Sequence, residues 1–184
     1  MKHISLAETR CARSLVIGCL MVLALGVGSS STQAALGFDP LNGVIVDTLV
    51  VSVTIDASVT DLRGFTFTLE FDPSIVMPVA VTAGDLVLSA GCPNFVTWLN
   101  AASIGDSIVV DGATLGCSVA GPGDIVDLTF VGVGFGVSPL QCRRSELRDS
   151  LNAAILHSCP DGTITRALVG VDRRSWGHIK RLFR

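Results

Sequence analysis

Between Phe65 and Phe71 the chain alternates: Phe65, Phe67, Leu69 and Phe71 fall on one side, and Thr66, Thr68 and Glu70 on the other. Successive side chains of a strand point to opposite faces, so this run predicts a strand with one face in a core. At helical spacing the same aromatics would wind around the axis and leave no polar side. Asp72-Pro73 ends the strand, because proline has no N–H to give to a ladder. Over Thr48–Ala57 the same alternation sets Leu49, Val51, Val53 and Ile55 against Ser52, Thr54 and Asp56, and over Asp124–Val133 it groups Val126, Leu128 and Phe130. Shorter extended pieces are predicted at Val44–Val46, Pro78–Thr82, Phe95–Leu99 and Ser107–Val110. Gly91-Cys92-Pro93 and Ala120–Gly123 are turn and loop chemistry. Gly132, Gly134 and Gly136 predict a bend where the Asp124 strand ends. Many short strands between glycine-rich turns, with no long helical pattern, predict an all-β, antiparallel sandwich.

The first 34 residues read differently. Lys2, Arg10 and Arg13 precede an apolar run of 13 residues, Leu15–Val27, and Thr32-Gln33-Ala34 offers small residues at a cleavage site. This is the pattern of a secretory signal peptide cut after Ala34, and the run falls short of the ~20 residues a spanning helix needs. Val16-Ile17-Gly18-Cys19 superficially fits a lipoprotein cleavage box, but the apolar core continues past Cys19 where a true box would close it. The expected organisation is a signal peptide at 1–34, one domain at 35–170 and a basic tail at 171–184, secreted or held at the cell surface.

Charge divides the exported part. Residues 35–170 carry 14 acids against 5 arginines, roughly −9, whereas 171–184 carry five basic residues against Asp172, or +4. An acidic body argues against nucleic acid as a partner. In the tail, Trp176, Ile179 and Phe183 recur at i, i+3 and i+7 among basic residues, with Ser175 as a cap. So short a helix is marginal alone in water. The stripe makes the tail, and Trp176 within it, a candidate contact for a membrane surface or a sorting system. Its Ser-Trp-Gly-x-x-Lys-x-x-Phe pattern resembles short C-terminal tags on some exported bacterial proteins.

Little in the chain suggests catalysis. It has no tyrosine, and the exported part has only His157 and His178 as histidines and Lys180 as its lysine. His157 lies beside Cys159 in a predicted strand and reads as structural. Glu70 and Asp72 share a strand face, which reads as a solvated face and a strand stop rather than an acid–base pair. No G-x-S-x-G, P-loop or EF-hand loop occurs. Asp106, Asp111, Asp124 and Asp127 offer oxygens, but their irregular spacing reads as turn chemistry rather than a calcium site. No catalytic residue, metal ligand or cofactor is assigned, and the expected class is a non-catalytic binding module.

Several stretches carry a family likeness. Leu62-Arg63-Gly64, the Phe65–Phe71 run, Asp72-Pro73-Ser74-Ile75-Val76 and Val81–Leu86 together resemble the front half of a cohesin domain. Ser145–Ile155 resembles the hairpin near a cohesin's end, and Asp161-Gly162-Thr163-Ile164-Thr165 its closing strand. The likeness spans about Asp39 to Arg166. It implies a jelly-roll sandwich of about nine strands with a flat face that docks a dockerin, a small calcium-binding domain of a partner protein. Type I cohesins use an Asn and an Asp two residues apart on the strand that here begins at Gly64. Gly64 and Thr66 occupy those positions, so the usual docking mode is not expected and no contact residues follow.

The alternative function is a carbohydrate-binding module, since such modules share related sandwich folds and stack sugars on exposed aromatics. Trp98 is the only tryptophan of the body and the candidate for that role, with core placement as its competing reading. A purely structural surface protein is a third possibility.

Arg143–His157 admits two readings. Local propensity favours a helix; the cysteine spacing and the cohesin likeness favour two strands and a turn, which is the expectation adopted. With Asp149-Ser150-Leu151-Asn152 as the turn, Arg148 faces Ala153 and Cys142 lies opposite Cys159, within disulfide reach. Four cysteines remain after Cys11 and Cys19 leave with the leader, and they allow three pairings. The register selects Cys142–Cys159, and Cys92–Cys117 follows by elimination. A zinc site is the weaker alternative for these cysteines, since there is no C-x-x-C.

Overall fold

The structure is a computed structural model and describes residues 33–100 and 105–167. Trp176, the basic tail and the charged and apolar regions of the leader lie outside the described residues.

Strands dominate, as the alternation requires. In chain order they are β1 (Ala34–Asp39), β2 (Asn42–Val44), β3 (Thr48–Ile55), β4 (Gly64–Glu70), β5 (Val76–Ala83), β6 (Asn94–Asn100), β7 (Ser107–Thr114), β8 (Gly123–Gly132), β9 (Gly136–Arg148), β10 (Ala154–Ile155), β11 (His157–Ser158) and β12 (Gly162–Arg166), with one helical turn, α1 (Asp85–Leu88). Three of the twelve, β2, β10 and β11, are only two or three residues long, which leaves the expected nine of substantial length. They form a five-stranded sheet, β11-β1-β3-β8-β5, and a seven-stranded sheet, β2-β12-β9-β4-β7-β6 with β10 on β9. Both sheets are mixed rather than purely antiparallel, because β1 runs parallel to β11 and β2 parallel to β12.

The core lies between the sheets. From β4, Phe65, Phe67 and Leu69 turn inward together with Phe71, and Val51, Val53 and Ile55 of β3 and Leu128 and Phe130 of β8 come from the other sheet. The Phe71 ring meets Phe130 edge-on, with centroids 6.0 Å apart. Burying side chains of this size is worth about 1.5–3 kcal/mol each, so the two apolar faces largely determine the architecture.

Four expectations need correction. β1 was missed: Ala34, Leu36 and Phe38 alternate inward, but in sequence they directly follow the leader-like segment. The strand begins at Ala34, the residue after which cleavage is expected. β8 departs from strict alternation, since Ile125 and Val126 are both buried across the register shift between Val53 and Thr54 of β3. α1 was not anticipated either. It is held tertiarily, since the Gly84 N–H donates to the Ile125 carbonyl and a Cβ at Gly84 would strike the Asp124 backbone. Finally, the hairpin exists, but its register is one residue off. Ala154, not Ala153, faces Arg148, because the turn runs through Asp149–Ala153 with Asn152 at φ 63°. Asp149 organises it by accepting from the N–H groups of Leu151 and Ala153.

Both expected disulfides form, with Cα–Cα distances of 6.3 Å for Cys92–Cys117 and 6.1 Å for Cys142–Cys159. In the second, Cys142 belongs to β9 whereas Cys159 lies in the connection between β11 and β12, outside any ladder with β9.

Candidate functional site

The seven-stranded sheet has an outer face that nothing else in the described residues covers between β9 and β6. Its register sets out three rows across β9, β4, β7 and β6. They are Arg148–Gly64–Ala113–Phe95, Glu146–Thr66–Asp111–Thr97 and Arg144–Thr68–Val109–Leu99. The alternation that sends Phe65, Phe67 and Leu69 into the core necessarily sends the residues between them to this face.

The face is graded. Its β9 margin is charged: Glu146 bonds both Arg144 and Arg148, and Arg143 bonds Glu70 at 2.6 Å. The Arg144 hydrogen bond, aided by Arg148, holds the Glu146 carboxyl below the usual carboxylate range. Exposed ion pairs of this kind add little to stability, so they remain free to exchange partners. The β6 margin is apolar: Phe95 is 48 % exposed, Leu99 69 % and Leu115, just beyond β7, 51 %. At the centre the Thr66 hydroxyl donates to Asp111 Oδ1 at 2.6 Å.

Toward one end the face dips into a hollow of about 480 Å³, lined by Arg63, Gly64, Thr66, Phe95, Leu115 and Arg148 among others. The dip comes from Gly64, where an added Cβ would find nothing closer than 3.8 Å.

The sequence candidates fall as follows. Trp98 packs against the core, and its neighbour Phe95 is the aromatic that stands on the outer face. Glu70 closes the charged margin, whereas Asp72 accepts from the N–H and hydroxyl of Ser74, which lower its pKa. Asp111 and Asp127 do not sit in turns. Each lies within a strand and accepts from a hydroxyl across the ladder, Asp127 from Ser52 at 2.6 Å. His157 has a partner at both ring nitrogens, with Nδ1 2.8 Å from the Ile155 carbonyl and Nε2 2.8 Å from the Ser145 hydroxyl. A carbonyl only accepts, so Nδ1 is the donor in that bond, and in the neutral ring Nε2 accepts from Ser145. This bond ties the β10–β11 segment to β9. The apolar margin was hidden in the sequence because every residue from Phe95 to Leu99 except Thr97 is apolar, so the run shows no phase until β7 fixes it.

No protein-family model and no curated protein matches the chain. Solved structures do. A non-cellulosomal cohesin from the hyperthermophilic archaeon Archaeoglobus fulgidus matches with a TM-score of 0.60 at 14 % identity, covering 79 % of this chain and 97 % of that one. A type I cohesin from Clostridium thermocellum, solved in complex with a dockerin, matches with a TM-score of 0.61 at 14 % identity, covering 73 % and 99 %. A type II cohesin domain from the cellulosome of Acetivibrio cellulolyticus matches with a TM-score of 0.59 at 14 % identity, covering 72 % and 95 %. At such identity what is shared is the arrangement of strands. The chain has the fold of a cohesin domain.

Proposed function

We propose that this chain is an exported, non-catalytic protein-docking module that receives a dockerin-type partner domain on the outer face between β9 and β6. The observation that carries the reading is the grading of that face, with exchangeable ion pairs along one margin and exposed Phe95, Leu99 and Leu115 along the other. A flat patch with an apolar portion and a polar border is the anatomy of a protein interface. Cohesins of the same fold have been solved with dockerins bound, which suggests the class of partner. Gly64 and Thr66 replace the polar pair of type I cohesins, so the contacts here would centre on Asp111, Glu146 and Phe95. The two disulfides suit an oxidising location outside the cytoplasm. In this reading residues 171–184 form a sorting or anchoring tail distinct from the docking face.

The test is titration calorimetry of the purified protein against a panel of dockerin domains, including any encoded by neighbouring genes. Binding that Phe95→Ala weakens by tenfold or more, with melting temperature unchanged, supports the reading. Binding indifferent to Phe95→Ala and Glu146→Ala, or no dockerin bound at all, removes it.

A further inference from the structure

Besides the two-residue β10 on β9, the two sheets end in four edge strands, and three of them are blunt. β11 is two residues long, β2 is three, and β5 carries Pro78 with a register shift between Pro78 and Ala80. The fourth, β6, is seven residues of Asn-Phe-Val-Thr-Trp-Leu-Asn with no proline, no charge and an unbroken register. Every second residue of such a strand turns its N–H and C=O away from its neighbour. Among the described residues β6 has a ladder partner only in β7, and no other hydrogen bond reaches it. A long, uncharged apolar edge is a template for another strand, which proteins normally guard.

The strand's own sequence indicates what fits there. Counted outward from Thr97, Phe95 corresponds to Leu99, Val96 to Trp98 and Asn94 to Asn100. An antiparallel copy centred on Thr97 therefore sets like beside like at every position. We propose that β6 pairs with β6 of a second copy of this chain about a two-fold axis through Thr97, joining the two seven-stranded sheets into one.

The symmetry is of the closed, isologous kind, so pairing stops at two copies. On the outer face, exposed Phe95 lies against the partner's Leu99 and Leu99 against the partner's Phe95, the kind of cross-strand apolar pair that stabilises sheets. On the inner side Val96 and Trp98, both half-buried at the free edge, are sealed by their counterparts. No charges meet at the seam, although the body as a whole carries 14 acids against 5 arginines and would repel its copy elsewhere. A foreign extended segment would satisfy the same backbone groups but would not account for the two-fold pattern of residue types. A two-fold axis perpendicular to the sheet also places both outer faces on one side of the dimer. The proposal does not depend on what those faces bind.

The experiment is sedimentation equilibrium on protein purified from cells expressing the full chain, with three variants of exposed Thr97. The wild type should show a reversible monomer–dimer equilibrium. Thr97→Lys places like charges opposite each other and should weaken dimerisation about fivefold or more. Thr97→Glu should do the same, and mixing the two variants should restore dimers. Thr97→Cys should give a disulfide-linked dimer under oxidising conditions, since residues facing across a ladder have Cα atoms about 4.5–5.5 Å apart. Circular dichroism confirms the fold of each variant. A monomer at every attainable concentration overturns the proposal. So does a dimer indifferent to all three substitutions, which would place the contact elsewhere, or capture of a foreign peptide by β6 with no self-association.

Discussion

The Thr66 hydroxyl and the Asp111 carboxylate meet at 2.6 Å across the β4–β7 ladder, at the middle of the outer face. The pair puts an acid at the middle of the face, where the strand that carries Thr66 offers only hydroxyls. In a double-mutant cycle with Thr66→Ala and Asp111→Ala, stability measured in urea should show a coupling of about 0.5–1.5 kcal/mol, the usual range for one hydrogen bond. Zero coupling would mean that the hydroxyl points elsewhere in solution.

Two glycines on neighbouring strands should respond oppositely to the same change. Gly112 turns inward, where a Cβ would overlap the Phe65 ring, so Gly112→Ala should destabilise by about 1–3 kcal/mol through overpacking. Gly64 faces the hollow with room to spare. Gly64→Leu should leave the melting temperature nearly unchanged while filling the dip beside Arg148 and Phe95, and so weaken whatever docks there. Equal losses of stability at both positions would contradict the assignment of faces.

The disulfides close separations of 25 and 17 residues. In the chain-entropy model each contributes about 3 kcal/mol by restricting the unfolded chain. The paired replacement Cys142→Ser with Cys159→Ser should therefore lower the stability by about that amount, and thiol titration of the denatured, unreduced protein should detect none of the four cysteines of the folded domain. Four reactive thiols without reductant would sink both pairings.

How far the sequence disclosed this structure depended on whether a signal was local. Phe65–Phe71 and Thr48–Ile55 were readable because in-and-out alternation is written residue by residue. Ile125 and Val126 defied the alternation because a shifted register is a property of two strands together. α1 was unreadable for a similar reason: its start at Gly84 is fixed by the backbone at Asp124, forty residues away. The Cys142–Cys159 pairing holds despite the one-residue error in the hairpin because Cys159 lies between β11 and β12, outside any ladder with β9. Of the outer face, Thr66, Thr68 and Glu70 were readable from the alternation, and Gly64 was singled out through the family likeness. Asp111, Glu146 and Phe95 gave no signal in sequence because only strand order makes them neighbours.

In the other sheet, acids gather around Asp124 near the start of β8. Burial, then the charges of Asp127, Asp85 and Asp39, push its carboxyl above the usual range. A raised folded pKa means that ionised Asp124 costs stability at neutral pH. The cost fades as pH falls through the folded value, where the folded state takes up its proton first. Asp124→Asn removes the charge outright, so it should raise the melting temperature by a few degrees at pH 7 and change it little near about pH 3. Asp56, Asp72 and Glu146 are shifted the other way, and both proteins lose their contributions together on acidification. The difference between variant and wild type across pH therefore isolates Asp124. A variant no more stable than wild type at pH 7, or one whose advantage grows in acid, would show that the four carboxylates are too far apart or too well solvated to repel.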